Sequence, residues 1–161
     1  MIETFIQTLV LLLATNGAPV LVASISKSHD ALPLDLGKQL QDGHPVFGSS
    51  KTWRGLISAL FTSCILSMLF GYGFWFGLVF GSLAMTGDLI SSFVKRRRGL
   101  KPSDQSLGLD QLPESIIPSI YALVVLGLEW WWAILLPLSF MLIQILISKP
   151  LYWLKIRKRP Y

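Results

Sequence analysis

The sequence predicts an all-α integral membrane protein of about five transmembrane helices, and three observations predict it. Hydrophobic residues make up 52% of the 161 positions and charged residues only 14%, with a mean hydropathy of +0.57. An ordinary soluble domain of this length carries more charge. The charges are also gathered, leaving apolar runs as long as a bilayer requires, about 20 residues at about 1.5 Å each. All 14 Lys and Arg lie in two loops and a C-terminal tail. With no internal repeat and no low-complexity linker, the chain reads as a single membrane-embedded domain over 1–161.

The elements follow in order. Residues 5–25, FIQTLVLLLATNGAPVLVASI, form an uncharged first span. The small residues of VASIS suggest a cleaved signal peptide, but the first cation is Lys27, so the positive segment that precedes such peptides is missing and the run is kept as a helix. Residues 56–87 carry no charge and are long enough for two helices that turn at the Gly-Tyr-Gly of 71–73. Residues 115–148 carry one charge, Glu129, beside Trp130, Trp131 and Trp132, an aromatic belt at a second hairpin turn. Some of these five crossings are short unless flanking residues extend them.

Lys and Arg are retained on the cytoplasmic side of a membrane, which sets orientation. Loop 27–54 holds Lys27, Lys38, Lys51 and Arg54, and loop 95–114 holds Lys95, Arg96, Arg97, Arg98 and Lys101. The tail holds Lys149, Lys155, Arg157, Lys158 and Arg159. The N-terminus is therefore expected outside, and both polar loops and the C-terminus in the cytoplasm, an arrangement that needs an odd number of crossings. The protein is expected in the cell membrane as a multi-pass chain.

Attraction to anionic headgroups accounts for the tail KIRKRPY. It does not account for the carboxylates and glycines of the loops. At about 100° per residue, Gly73, Gly77, Gly81 and Ala84 share one small-residue stripe of the third helix, and Asp88, Ser92 and Lys95 continue it. Asp88 is thus expected to point into the bundle and not at lipid, where a charge is costly. The same stripe could serve a contact between subunits; packing within the chain is the reading adopted, with a homo-oligomer left open. Asp110 precedes a helix that Pro113 and Glu114 are expected to start, since Pro suits the first helical position. Two carboxylates at the ends of consecutive helices, joined by a loop rich in Lys and Arg, are what a Mg²⁺-nucleotide site needs. An inward Asp88 balanced by Lys95 or by a helix-terminal contact is the purely structural alternative. The sequence has no GxxxxGK[ST] phosphate loop, His29 and His44 are too isolated for a metal cluster, and the single Cys64 cannot form an intrachain disulfide.

The order and spacing of several fragments carry a resemblance: NGAPVL in the first helix, PLDLGK and DGHPVFGSSKTWRG in the first loop, GDLISSFVKRR and GLDQL in the second. Along nearly its whole length the chain resembles the CDP-archaeol synthase family, membrane cytidylyltransferases related to the CDP-diglyceride synthases. The resemblance implies transfer of CMP from CTP to a membrane lipid phosphate, with Mg²⁺ as cofactor, CTP and the lipid phosphate as partners, and no nucleic acid. It implies that Asp88 and Asp110 hold Mg²⁺, and that Lys51, Arg54, Lys95 and Arg96 neutralise the triphosphate and the lipid phosphate. Asp42, Thr52, Ser92 and Gln111 complete the expected substrate-binding set, Asp42 orienting a cation and Thr52 alternatively capping the second helix. Gly43, Gly48 and Gly55 would permit tight turns and close approach to phosphate, and Trp53 would anchor the loop at the headgroups. The lipid phosphate is already anionic near neutral pH, so no general base is demanded.

Departures matter too. CDP-diglyceride synthases carry a Gly-His-Gly-Gly stretch and an Asp-Arg pair where this chain has LGLDQ, so it looks more like the archaeal branch. Archaeal members have a second acidic residue after the Asp-Gln pair, whereas this chain has Pro113 and then Glu114. The acceptor is left open among an isoprenoid ether-lipid phosphate, a phosphatidate and another lipid phosphate. The alternative from a different class is a non-catalytic membrane scaffold or anionic-lipid-binding protein that keeps the fold. A transporter is disfavoured because the charges sit at one edge and line no path across.

Overall fold

A computed structural model describes residues 1–26, 31–101, 104, 106 and 108–154. Lys27, His29 and the tail cations Lys155, Arg157, Lys158 and Arg159 lie outside the described residues. The described residues form five helices and no strand: α1 (Ile2–Ser26), α2 (Trp53–Leu69), α3 (Phe74–Arg97), α4 (Gln111–Leu126) and α5 (Trp132–Trp153). The two hairpin turns fall where the sequence puts them, at 70–73 and 127–131. Three helices, α1, α3 and α5, are long and apolar enough to cross a membrane, while α2 and α4 are shorter apolar helices of 17 and 16 residues.

The side-chain donors inside α1 bond locally, although the buried Oδ1 of Asn16 has no partner among the described residues. Thr8 Oγ1 donates to the Thr4 carbonyl and Thr15 Oγ1 to that of Leu11, both at 2.7 Å, and Asn16 Nδ2 donates to Leu12 at 3.0 Å. Such back-bonding lets hydroxyls and amides lie in an apolar surround at little cost. Between them Leu11 and Leu12 join Phe76 and Phe80 of α3, Ala122 of α4 and Phe140 of α5 in one buried cluster.

The hairpin of α2 and α3 closes on small residues. A Cβ on Gly77 would lie 2.6 Å from the Ser63 carbonyl oxygen, and one on Gly81 would lie 2.8 Å from Ser63 Cβ, so neither position admits a larger side chain without separating the helices. Ser63 and Ser67 use the closeness, donating to the carbonyls of Gly77 and Gly73 at 2.7 Å each. The small-residue stripe is therefore spent within the chain. Gly73 is the exception: it precedes α3 with φ of 87°, in the turn and not on the helix face.

Consecutive helices pack against each other, and α1 also touches α3, α4 and α5. One end of the bundle joins the N-terminus, the first turn and the Trp cluster: Tyr72 Oη donates to Gln7 Oε1 at 2.7 Å, and the rings of Phe5 and Trp132 lie 5.1 Å apart. A cavity of about 210 Å³ at this end is lined by apolar and aromatic residues, among them Phe5, Trp131 and Leu135. The opposite end carries the ion pairs. Around the sides, Ile57, Phe61, Val124, Leu142 and Leu146 are exposed, an apolar girdle suited to lipid.

Helix boundaries correct three expectations. α2 begins at Trp53, so Arg54 is helical, and α3 runs to Arg97, so Lys95 and Arg96 form its last turn and not loop. α4 begins at Gln111, which makes Pro113 its third residue, still within the turn where a missing N–H costs nothing. Gly55 is also helical: a Cβ there would meet Pro19 Cβ at 3.3 Å, so its smallness serves the approach of α2 to α1. Thr52 is the N-cap of α2, its hydroxyl accepting the Gly55 N–H at 3.2 Å. Thr52→Ala is expected to cost about 1 kcal/mol of stability, read as a lower melting temperature in detergent, and Thr52→Ser to restore it.

Candidate functional site

The site is built where the first loop folds onto the ends of α3 and α4. The loop is held by two isolated bridges, Pro33 with Thr52 and Gln39 with Pro45. Leu34 N–H donates to the Lys51 carbonyl at 2.8 Å and Trp53 N–H to that of Leu32 at 3.1 Å. This fastens the entry and exit of the loop side by side, directly before α2. Lys51 then reaches α3, its Nζ donating to both carboxylate oxygens of Asp88 at 2.6 Å. Burial draws the Lys51 ammonium down, but attraction to Asp88, the hydrogen bonds to it, and the fields of Glu114 and Asp110 outweigh burial and hold it above the usual lysine range.

Lys95 makes the second pair. Its Nζ lies 2.6 Å from Asp110 Oδ1 and donates to the Asp104 carbonyl at 2.9 Å, tying the end of α3 to the second loop and the start of α4. The two helices touch through backbone just here: a Cβ on Gly87 would lie 2.1 Å from the Pro113 carbonyl oxygen and 2.6 Å from Glu114 Cα. That contact sets Asp88, the next residue, against the first turn of α4. Glu114 is buried there and accepts from Gln144 Nε2 of α5 at 3.4 Å. A third pair closes the outer edge, Arg97 Nη1 to Asp42 Oδ2 at 2.5 Å, with Arg97 also donating to the Pro45 carbonyl at 2.6 Å.

The predicted residues thus divide. Lys51 meets Asp88 and Lys95 meets Asp110, two ion pairs at the same end of the bundle. Asp42 pairs with Arg97 of α3 and not with a cation of its own loop. Ser92 is buried on α3 at the same level. Arg54 lies in the first turn of α2, within its own set of interactions. Two residues are engaged differently from expectation. Arg96 is only 2% exposed and donates from Nη2 to the Lys101 carbonyl at 3.0 Å, turned into the second loop. Gln111 is buried and its Oε1 accepts the Gly108 N–H at 2.9 Å, bracing the loop.

Sequence reasoning passed over Asp35. It is 7% exposed, with Oδ2 accepting the N–H groups of Phe47 and Gly48 at 2.9 and 2.8 Å and Oδ1 that of Gly37 at 3.1 Å. Burial alone would raise this carboxyl, but the N–H donors of Gly48, Phe47 and Gly37 prevail and hold it below the usual carboxylate range. Gln144 was also passed over. Its signal was present, since a lone amide on an otherwise apolar helix needs a buried partner.

The donors offered at this end are hard carboxylate oxygens, and one ammonium already stands where Asp88, Glu114 and Asp110 all act. A cation is therefore what the arrangement accommodates. Among the described residues no three His, Cys, Asp or Glu side chains are gathered as a ready metal cage. Two carboxylates completed by water and phosphate oxygens are the usual setting of Mg²⁺, not of zinc or calcium.

Fold and site define a helical membrane protein with an acidic and lysine-rich cluster at one end of its bundle. The CarS-like family model, described as CDP-archaeol synthase, matches residues 1–73. Curated proteins named CDP-archaeol synthase are similar. That of Sulfurisphaera tokodaii is 31% identical over 152 residues, covering 89% of this chain and 91% of that protein. That of Hyperthermus butylicus is 38% identical over 106 residues, and that of Pyrococcus furiosus 33% over 106. In each of these two cases the match spans 60% of the relative's length. The chain belongs to the CDP-archaeol synthase family. A solved structure, described as an intramembrane enzyme for archaeal membrane lipids biosynthesis, shares its fold with a TM-score of 0.67 at 23% identity, over 86% of this chain and 91% of that one.

Proposed function

We propose that the protein transfers CMP from CTP to an isoprenoid ether-lipid phosphate, releasing pyrophosphate and leaving a CDP-activated lipid for phospholipid synthesis. Family membership supports the reaction, and the relatives' name supports the ether-lipid acceptor over phosphatidate. The single observation that carries the site is the meeting of Lys51 with Asp88 and Lys95 with Asp110 at one end of the bundle. That end faces the cytoplasm on this reading, because the described Lys and Arg gather there and CTP is a cytosolic solute.

Asp88 and Asp110 would hold Mg²⁺, which when bound neutralises charge on the CTP phosphates. Lys51 and Lys95 supply mobile positive charge: each ammonium now rests on a carboxylate and can be handed to a phosphate oxygen when one arrives. Arg54 adds charge from the first turn of α2. An oxygen of the lipid phosphate forms a bond to the α-phosphorus as the bond from that phosphorus to the bridging oxygen of pyrophosphate breaks. Both reactants are anions, so alignment and charge neutralisation are the protein's main contributions. Thr52, Ser92, Gln111, Arg96 and Asp42 shape the loops around this centre.

One observation favours a second reading, a non-catalytic scaffold: both carboxylates are already balanced by lysines, which suffices to stabilise a fold. The discriminating experiment presents purified protein in lipid vesicles with each of the four nucleoside triphosphates and a panel of lipid phosphates. The transferase reading expects label from CTP alone, only with Mg²⁺, and fastest into the ether lipid. No product with any pair would leave the scaffold.

A further inference from the structure

We infer that Asp35 is a positioning residue that sets the Lys51 ammonium on Asp88. It lies in the first loop, sixteen positions before the lysine, and its carboxylate bonds Gly37, Phe47 and Gly48. Its effect passes through backbone. Oδ2 gathers the N–H groups of Phe47 and Gly48, which fixes the turn from which Lys51 N–H takes its acceptor, the Gly48 carbonyl at 3.1 Å. The residue before Asp35 holds the other backbone group of the same lysine, Leu34 N–H donating to the Lys51 carbonyl at 2.8 Å. Lys51 is thus gripped at both its N–H and its carbonyl by segments that the Asp35 carboxylate pins together. Gly48 contributes the geometry, since its φ of 90° turns its N–H toward the carboxylate at little steric cost.

Lys95 is held differently, by the end of α3 and by Asp104 and Asp110, and owes nothing to Asp35. The two lysines of one site therefore separate a positioning role from general loosening. In Asp35→Asn the amide cannot accept on both sides: one of its two faces becomes a donor opposed to an N–H.

The test is the rate at which a water-soluble acetylating reagent modifies each lysine of the full chain in vesicles, read by mass spectrometry of the peptides. The lysine must leave its carboxylate and lose a proton to react. Asp35→Asn is expected to raise the Lys51 rate about fivefold, the order of one net hydrogen bond, toward the rate in Asp88→Asn, with the Lys95 rate unchanged. Gly48→Ala, strained at positive φ but keeping the carboxylate, is expected to do the same, and serves if the Asn variant fails to fold. An unchanged Lys51 rate, or equal rises at Lys51 and Lys95, would overturn the inference. Only the consequence for transfer rests on the proposed function. If wild-type protein makes no CDP-lipid while the labelling follows this pattern, the transferase reading fails and the positioning role stands. If transfer occurs and labelling does not respond, the reverse holds.

Discussion

Asp88→Asn and Asp110→Asn are each expected to lower incorporation of label from CTP into lipid by about a hundredfold or more, the order seen when one preorganised charge-stabilising group is removed from an active site. The amide is close to the carboxylate in size, so the helices can still pack, yet it carries no charge for a divalent ion. Each variant also removes the counter-charge of an ammonium, that of Lys51 in the first case and of Lys95 in the second. Removing one partner of a partly buried pair destabilises, so the measurement is made on protein first verified to be inserted and folded. The scaffold reading expects no loss of CTP binding from either substitution, because on that reading there is none to lose.

The second large effect is expected at Gly87, which has no side chain to offer a ligand. A methyl group there would lie 2.1 Å from the Pro113 carbonyl oxygen, 2.4 Å from its carbon and 2.6 Å from Glu114 Cα, all of them backbone. No side chain can swing aside, so α3 and α4 must part by roughly 1 Å or more to reach ordinary contact. Overpacking of this kind costs about 1 to 3 kcal/mol. Asp88 travels with α3 and Asp110 with α4, and a misplacement of about 1 Å can cost about a hundredfold in rate. Gly87→Ala is therefore expected to melt earlier and to lose most of its transfer activity. Gly17→Ala is the control: nothing lies within 4 Å of its Cβ position, and Ala favours a helix more than Gly does. Equal behaviour of the two variants in melting and activity would contradict the contact between α3 and α4.

What the sequence made legible was local or periodic. The apolar runs and their Gly and Trp interruptions gave both hairpins, and helical spacing put Asp88 on the face that carries Gly77, Gly81 and Ala84. Such readings need only geometry within one element. The partners across the fold were not legible in the same way. Lys95 shares a helix face with Asp88, which suggested a pair between them, but Lys95 reaches Asp110 and leaves Asp88 to Lys51. Arg97 was only one cation of a basic run until the path of the first loop brought Asp42 and Pro45 beside it. Asp35 was hidden for the same reason, because its acceptors face N–H groups a dozen residues onward and no periodicity governs a loop. Arg96 illustrates the opposite error: in the count of charges it equalled its neighbours, whereas its position on α3 buries it under the second loop. Glu114 was visible as an acid at a helix start, and the close backbone contact at Gly87 is what brings it into the cluster.

The most direct test of a divalent ion shared by Asp88 and Asp110 uses Mn²⁺ in place of Mg²⁺, followed by electron paramagnetic resonance as it is titrated into the protein with CTP in vesicles. Loss of the free-ion signal at one equivalent in the wild type, and its persistence at the same concentrations in both Asp88→Asn and Asp110→Asn, is the expected result. Tight Mn²⁺ binding that survives either substitution would mean that these carboxylates hold lysines and not a metal.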